Sequence, residues 1–381
     1  MKLRPLTGAH AVSEAMRQIN PDVVPVYPVT PQSPIAEGFA QFKADGRVDS
    51  ELVLAESEHS VMSIAIGASA AGARVMTATA SQGLALMWEL LPAAAGMRLP
   101  ITMNIANRAL SAPLNIHCDH SDSMGAKDQS WIQMYAENPQ EVYDMTLLAM
   151  KLAELASLPA MVMQDGFITS HCVEAVEILD DKKVKSFLGR RKATFPLLDT
   201  VNPVTYGAMQ LPDSFFETKL QQIEAMNEVN KQYPLVAKML TKLTKRNYDI
   251  LEKYKLNGAD AVIVTTSSTS GIVKSAVDNL RKKGKKVGMI KLRLFRPFPY
   301  QELAKALEKV KAVSVLDRAV AYGANAPLYA ETLQSLFSSV KKPKAQSCVF
   351  GLGGRDIFEE QVEKVFTELL SGKIQSLRYI K

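Results

Sequence analysis

What most constrains this chain is a series of short, almost uninterrupted apolar segments, each followed by a helical pattern. Val23 to Val29, Leu52 to Ala55, Val75 to Ala80, Ile101 to Ala106 and Ala160 to Met163 read as strands. Strands with apolar side chains on both faces must be covered on both, and strands that alternate with helices come back parallel. The helices between them have their own signature. Val142, Met145, Ala149, Leu152 and Ala156 recur at helical spacing behind Pro139, a residue that the first helical turn tolerates. The alternation resumes at Ala261 to Val264 and continues through Val287 to Leu292, Ala312 to Leu316 and Ser347 to Phe350. Two doubly wound α/β domains follow from this pattern.

Between Cys172 and about Gly258 the alternation fails. A basic, proline-containing stretch from Phe187 to Pro203 precedes a charged helical pattern from about Phe216 to Tyr254, which we read as an excursion and a connecting helix. The resulting division is a first domain over 1–257 and a second over 258–381. With 381 residues, 47% of them hydrophobic, the chain can bury both cores. Its formal charge of +6 includes the clusters Arg281-Lys282-Lys283 and Lys285-Lys286. No aromatic residues interleave with these clusters, so a nucleic-acid partner is not expected.

Several chemistries are excluded by what is missing. Cys118, Cys172 and Cys348 form no C-x-x-C pair that could hold zinc or an iron–sulfur cluster, and they are too few for a disulfide framework. A reducing cytoplasm suits them. The amino terminus lacks the apolar core of a signal peptide, and the stretch from Met62 to Ala73 is too short to span a membrane, so neither export nor insertion is expected. There is no G-x-S-x-G elbow, P-loop or H-E-x-x-H. Gly351-Leu352-Gly353-Gly354 follows a strand without dinucleotide-binding spacing and reads as a tight structural turn. His117-Cys118-Asp119-His120 lacks zinc-ligand spacing, and no metal ligand is assigned. A nicotinamide-dependent dehydrogenase would rest on the two α/β domains alone, without a site.

Four runs say more together. They are Tyr27-Pro28-Val29-Thr30-Pro31, Glu56-Ser57-Glu58-His59, Thr79-Ala80-Ser81-Gln82-Gly83, and Asn107-Arg108-Ala109 leading to Asp119-His120-Ser121-Asp122. Each falls at or just beyond the carboxyl end of an expected strand, where open α/β sheets bind ligands. The set resembles the alpha subunit of pyruvate and related 2-oxoacid:ferredoxin oxidoreductases over essentially the whole chain. The resemblance implies a pyrimidine-type thiamine-diphosphate-binding domain followed by a transketolase C-terminal-like α/β domain.

Thiamine catalysis needs a carboxylic acid against the aminopyrimidine ring, and Glu58 is the residue that the resemblance puts there. The resemblance prefers Glu58 over Glu56, because the family glutamate precedes its T-A-S-Q-G run by the interval that separates Glu58 from Thr79. The alternative reading is that both glutamates merely favour the positive end of a helix starting near His59. Arg108 resembles the family arginine that holds the carboxylate of the 2-oxo acid, a task for a planar fork that donates two parallel hydrogen bonds. Thr30 resembles the threonine beside the substrate, and Ser81, Gln82 and Gly83 are expected to line the cofactor pocket, with Gly83 permitting close backbone approach. Asp119, His120 and Asp122 either shape the pocket or meet a partner.

The diphosphate-binding G-D-G run is missing; Gln164-Asp165-Gly166 lacks its first glycine. Mg²⁺ and the 4Fe–4S clusters are therefore expected on partner chains, with thiamine diphosphate shared between chains. The implied partners are beta, gamma and ferredoxin-like delta subunits, and the implied reaction is oxidative decarboxylation of a 2-oxo acid, with pyruvate favoured, to acyl-coenzyme A with electrons passed to ferredoxin. The alternatives are the beta-type chain of a 2-oxoacid dehydrogenase and a scaffold subunit without chemistry.

Overall fold

The computed structural model describes residues 2–337, 339 and 341–381. The early apolar runs become one seven-stranded sheet, ordered Leu294–Arg296, Ile132–Tyr135, Ala160–Asp165, Ile101–Asn107, Val75–Thr79, Val23–Val26 and Glu51–Leu54. All neighbours run parallel except the edge strand Leu294–Arg296. Every residue of Val75–Thr79, Ile101–Asn107 and Ala160–Asp165 is buried, which is why these strands lack polar alternation. The helix Pro139–Ala156 forms where expected, capped by the Asn138 side chain, which accepts from Glu141 N at 2.9 Å. Its stripe of Val142, Met145, Ala149 and Leu152 is fully buried, and each of the larger side chains contributes about 1.5–3 kcal/mol.

A second, six-stranded sheet is ordered Leu377–Ile380, Lys344–Phe350, Ala312–Asp317, Ala261–Thr265, Val287–Leu292 and Leu251–Tyr254. A separate ribbon pairs Lys2–Thr7 antiparallel with Val173–Ile178.

Two expectations are corrected. The charged helix spans Pro212–Thr244 and stops at Lys245, which turns left-handed (φ 63°) and sends its N–H back to Thr241 O. It does not run on to Tyr254. Leu251–Tyr254 is instead a strand antiparallel to Val287–Leu292, so hydrogen bonding puts it in the second sheet although the division at 257 groups it with the first. The chain also crosses back, because Leu294–Arg296 leaves the second unit to pair with Ile132–Tyr135 of the first.

Charge locks this seam. Glu137 and Glu141 of the first unit meet Lys274, Lys291 and Arg293 of the second, together with Glu252. Lys291 is fully buried and touches all three carboxylates. The second unit is thereby held against the first, beside the loop that follows Asn107.

Candidate functional site

The site is assembled from four strand ends. Ser57 caps the helix Glu58–Ala70, its side chain accepting from Ser60 N at 3.2 Å, and this puts Glu58 in the first helical turn. Glu58 is only 7% exposed. The hydroxyls beside it are engaged elsewhere: Ser57 bonds Ser60, and Ser60 Oγ donates to Glu56 at 2.9 Å. Among the described residues no donor reaches the Glu58 carboxylate.

Facing that carboxylate is Gly83, in the helix Gln82–Leu86 that follows the strand Val75–Thr79. A Cβ on Gly83 would lie 2.6 Å from Glu58 Oε1 and 2.4 Å from Thr79 Oγ1. Glycine is required here by close approach. The buried Thr79 Oγ1 also has no hydrogen-bond partner. Two polar groups without a partner among the described residues thus stand against one stretch of backbone, an arrangement that a chain tolerates where a ligand completes it.

Ser81 adopts φ 49°, a left-handed conformation unusual for a residue with a side chain. Ser81 N donates to Asp122 Oδ2 at 3.0 Å, and Ser81 Oγ lies 2.6 Å from both Ala109 O and Gln82 Oε1. The same Asp122 oxygen accepts from Arg108 N at 3.0 Å, while Oδ1 accepts from Asn107 Nδ2 and Ser123 N, both at 2.7 Å. Asp122 therefore ties the Thr79 strand end to the Asn107 strand end. Burial pushes its carboxyl up to about 6, although these donors pull the other way.

Arg108 is 8% exposed. Its Nη1 donates to Thr30 O at 2.9 Å and its Nε to Asn115 O at 3.2 Å. Two of its five N–H groups are used in positioning and three remain for a ligand. Thr30 lies exposed beside it, and Gln82 is half-buried at the start of its helix. Among the expected residues, Arg108 meets Thr30, Arg108 and Ser81 are joined through Asp122, and Gly83 packs against Glu58. The chemistry of the residues present fits an aminopyrimidine ring next to Glu58, because the carboxylate and Thr79 Oγ1 lack partners among the described residues and Gly83 lets the backbone come close to both.

Family models match almost all of the chain. Residues 14–238 match the thiamine-diphosphate-binding domain of pyruvate flavodoxin/ferredoxin oxidoreductases, and residues 259–362 match core domain II of pyruvate:ferredoxin oxidoreductase. The chain is 52% identical to the pyruvate synthase subunit PorA of Thermotoga maritima, over 97% of this chain and 95% of that one. The chain belongs to the pyruvate:ferredoxin oxidoreductase family. The ketoisovalerate oxidoreductase subunit VorA of Pyrococcus abyssi is 41% identical over 96% of this chain and 92% of its own. Among solved structures, the 2-oxoglutarate:ferredoxin oxidoreductase of Magnetococcus marinus superposes with a TM-score of 0.78 at 20% identity. It covers 97% of this chain, which spans 65% of that longer one. A split-gene transketolase shares the fold with a TM-score of 0.57 at 10% identity, over 97% of this chain and 99% of its own.

Against this family background, the His117–Asp122 run resolves residue by residue. Asp122 is the tie just described, and Asp119 Oδ2 accepts from Gly353 N at 3.2 Å. His120 Nε2 lies 2.7 Å from Asp165 Oδ1 in a buried cluster. Cys118, His120 and Asp165 could each offer an atom to a metal, but Asp165 is already taken. It accepts from Ser267 Oγ at 2.6 Å and from Ser268, and Arg318 Nη1 approaches to 3.9 Å. Burial alone would raise the Asp165 carboxyl; Arg318 and His120 outweigh it and hold the carboxyl well below the usual range. A group so fully engaged is a seam between the two units. Asp122 was noted in the sequence without a settled role, and Asn115 was not noted at all, since neither residue type announces which distant segment it joins.

Proposed function

We propose that this chain is the alpha subunit of a pyruvate:ferredoxin oxidoreductase, in which Glu58 serves the pyrimidine end of thiamine diphosphate and Arg108 and Thr30 hold the 2-oxo acid. The observation that carries this reading is the Glu58 carboxylate, buried without a donor among the described residues and packed against Gly83, on a strand end tied through Ser81 and Asp122 to that of Arg108. Thiamine diphosphate, when bound, supplies the ring that accepts the electron pair left by departing carbon dioxide. Glu58 then holds or releases a proton at its own Oε atoms toward the aminopyrimidine. Arg108 offers its remaining N–H groups to the substrate carboxylate as a fork, and the Thr30 hydroxyl supports the same end. Ser81, Gln82 and Gly83 shape the wall.

Mg²⁺ and the 4Fe–4S clusters belong on partner chains in this reading: the carboxylate of the Gln164-Asp165-Gly166 run is occupied within the chain, and no cysteine pair is spaced for a cluster. The large apolar side chains Leu54, Leu86, Trp88 and Leu114 are exposed on the carboxyl-end segments around the cleft, a rim suited to covering by another subunit. Beta, gamma and ferredoxin-like delta subunits, coenzyme A and ferredoxin complete the system. No helix among the described residues is long and apolar enough to cross a membrane, and a cytoplasmic setting fits this chemistry.

The test is to isolate the assembled complex anaerobically through a tag on this chain and to follow viologen reduction that depends on coenzyme A. Pyruvate should give a kcat/KM at least about tenfold above branched-chain, aromatic and dicarboxylic 2-oxo acids. A cluster-loaded complex that turns over none of them would overturn the proposal.

A further inference from the structure

Arg108 cannot hold a substrate unless something holds Arg108. One of its two anchors, Thr30 O, sits directly beyond a strand of the central sheet. The other, Asn115 O, sits on a long loop between the strand Ile101–Asn107 and the short helix Ser121–Gly125, and Ser111 to Leu114 of that loop are exposed. A loop of this length with an exposed crest does not fix a carbonyl by itself.

Ala109 N donates to His117 O and Leu110 N to Ser121 Oγ, both at 3.0 Å, across the base of the loop, and the contacts on Asn115 itself come from the second domain. Asn115 Nδ2 donates to Gly353 O at 2.9 Å, and Gly353 N donates to Asp119 Oδ2 at 3.2 Å. Both backbone groups of one glycine are therefore spent on the two sides of the arginine loop. Asn115 Oδ1 accepts from His117 N at 2.7 Å, closing the turn that aims the Asn115 carbonyl, and His120 N donates to Arg318 O at 2.9 Å. The fit is close. Gly353 has φ 60°, and a Cβ there would stand 2.4 Å from Asn115 Nδ2; a Cβ on Gly354 would stand 2.4 Å from His117 Cβ.

We infer that the Gly351–Gly354 turn of the second domain is a positioning device for substrate binding, acting through Asn115 to set the guanidinium of Arg108. The inference rests on the reading of Arg108 as the group that binds the 2-oxo acid carboxylate. It gives the second domain a part in substrate affinity although it supplies none of the residues assigned to the substrate. It also predicts which kinetic constant responds. The charge that Arg108 holds disappears as carbon dioxide forms, so its contact favours the bound acid at least as much as the transition state, and loosening it raises KM rather than lowering kcat.

The experiment compares Asn115→Ser, Gly353→Ala, their double variant and Arg108→Lys in the assembled complex. Asn115→Ser and Gly353→Ala should each raise KM for the 2-oxo acid about tenfold, with kcat within about twofold and KM for coenzyme A and thiamine diphosphate affinity unchanged. The double variant should fall well short of the product of the two singles, because both break the Asn115–Gly353 contact. Arg108→Lys should raise the same KM about a hundredfold. If Arg108→Lys leaves KM unchanged, the reading of Arg108 fails. If Arg108→Lys raises KM while Asn115→Ser leaves it unchanged, or if the two single effects add in full, the brace is overturned and Arg108 keeps its role. Should Gly353→Ala fail to assemble, Asn115→Ser decides alone.

Discussion

Glu58 and Glu141 are equally buried, each 7% exposed, and each stands in the first turn of a helix beside the main sheet. Their surroundings are opposite. Glu141 accepts from Lys291 at 2.7 Å and from Arg293 at 2.8 and 3.0 Å, and also from Glu137 N at 2.9 Å. Burial raises the Glu141 carboxyl, but Lys291 and Arg293 outweigh it and leave the group below its ordinary range. Glu58 has no such company. A buried carboxylate surrounded by cations of its own chain is architecture, whereas one that the fold leaves without donors is kept for something that binds.

The sharpest way to break this comparison is to convert each glutamate to its amide. Glu58→Gln should lower turnover of the assembled complex about a thousandfold, with no loss of thermal stability, since no hydrogen bond to the described residues is lost. Unchanged turnover would place Glu58 with the architectural carboxylates. Gly83→Ala comes next. Its Cβ must displace Glu58 Oε1 and Thr79 Oγ1, so affinity for thiamine diphosphate, measured by titration of the assembled complex, should fall about a hundredfold. Glu141→Gln should do the reverse of Glu58→Gln: it should cost about 3 kcal/mol of stability by leaving buried Lys291 and Arg293 short of a counter-charge. This loss would be seen as a lower thermal midpoint, with kcat of the surviving complex within about twofold.

Sequence was informative where the determinant is local. Val75–Thr79 and Ile101–Asn107 are apolar on both faces because they are central, and that leaves a mark any reader can see. The meeting of Thr30, Ser81 and Arg108 was also accessible, because residues just past the carboxyl ends of parallel strands share one edge of the sheet. Leu251–Tyr254 was misread as helix because Leu-Glu-Lys-Tyr after a long charged helix carries no preference between the two periods, and only pairing with Val287–Leu292 decides it. Least visible were contacts between distant residues. Asn115 and Gly353 are 238 residues apart, and the glycine run gives no sign of its partner. The bland reading of that run as a structural turn described its shape, but nothing local could disclose that its N–H and C=O bind the arginine loop.

Asp122 sharpens the comparison further because it belongs to neither class. Like Glu141 it is fully engaged, but its partners are neutral N–H groups of Ser81, Arg108, Asn107 and Ser123, with no cation in hydrogen-bond contact. Burial therefore prevails, and the carboxyl sits near 6 where Glu141 is depressed. The sign follows from linkage. A carboxyl raised in the folded chain binds its proton more tightly there than in the unfolded chain, so its contribution to stability is fully present below about pH 3.8 and is lost as pH rises through about 6. The interval between those values corresponds to roughly 3 kcal/mol as an upper bound. Asp122→Asn removes the titration while keeping the shape. The thermal midpoint of the unsubstituted complex should therefore exceed that of the variant by more at pH 5 than at pH 7.5. A difference that stays flat over this range would mean that Asp122 remains ionised throughout, held by a cation that a partner subunit supplies, and would move it into the class of Glu141.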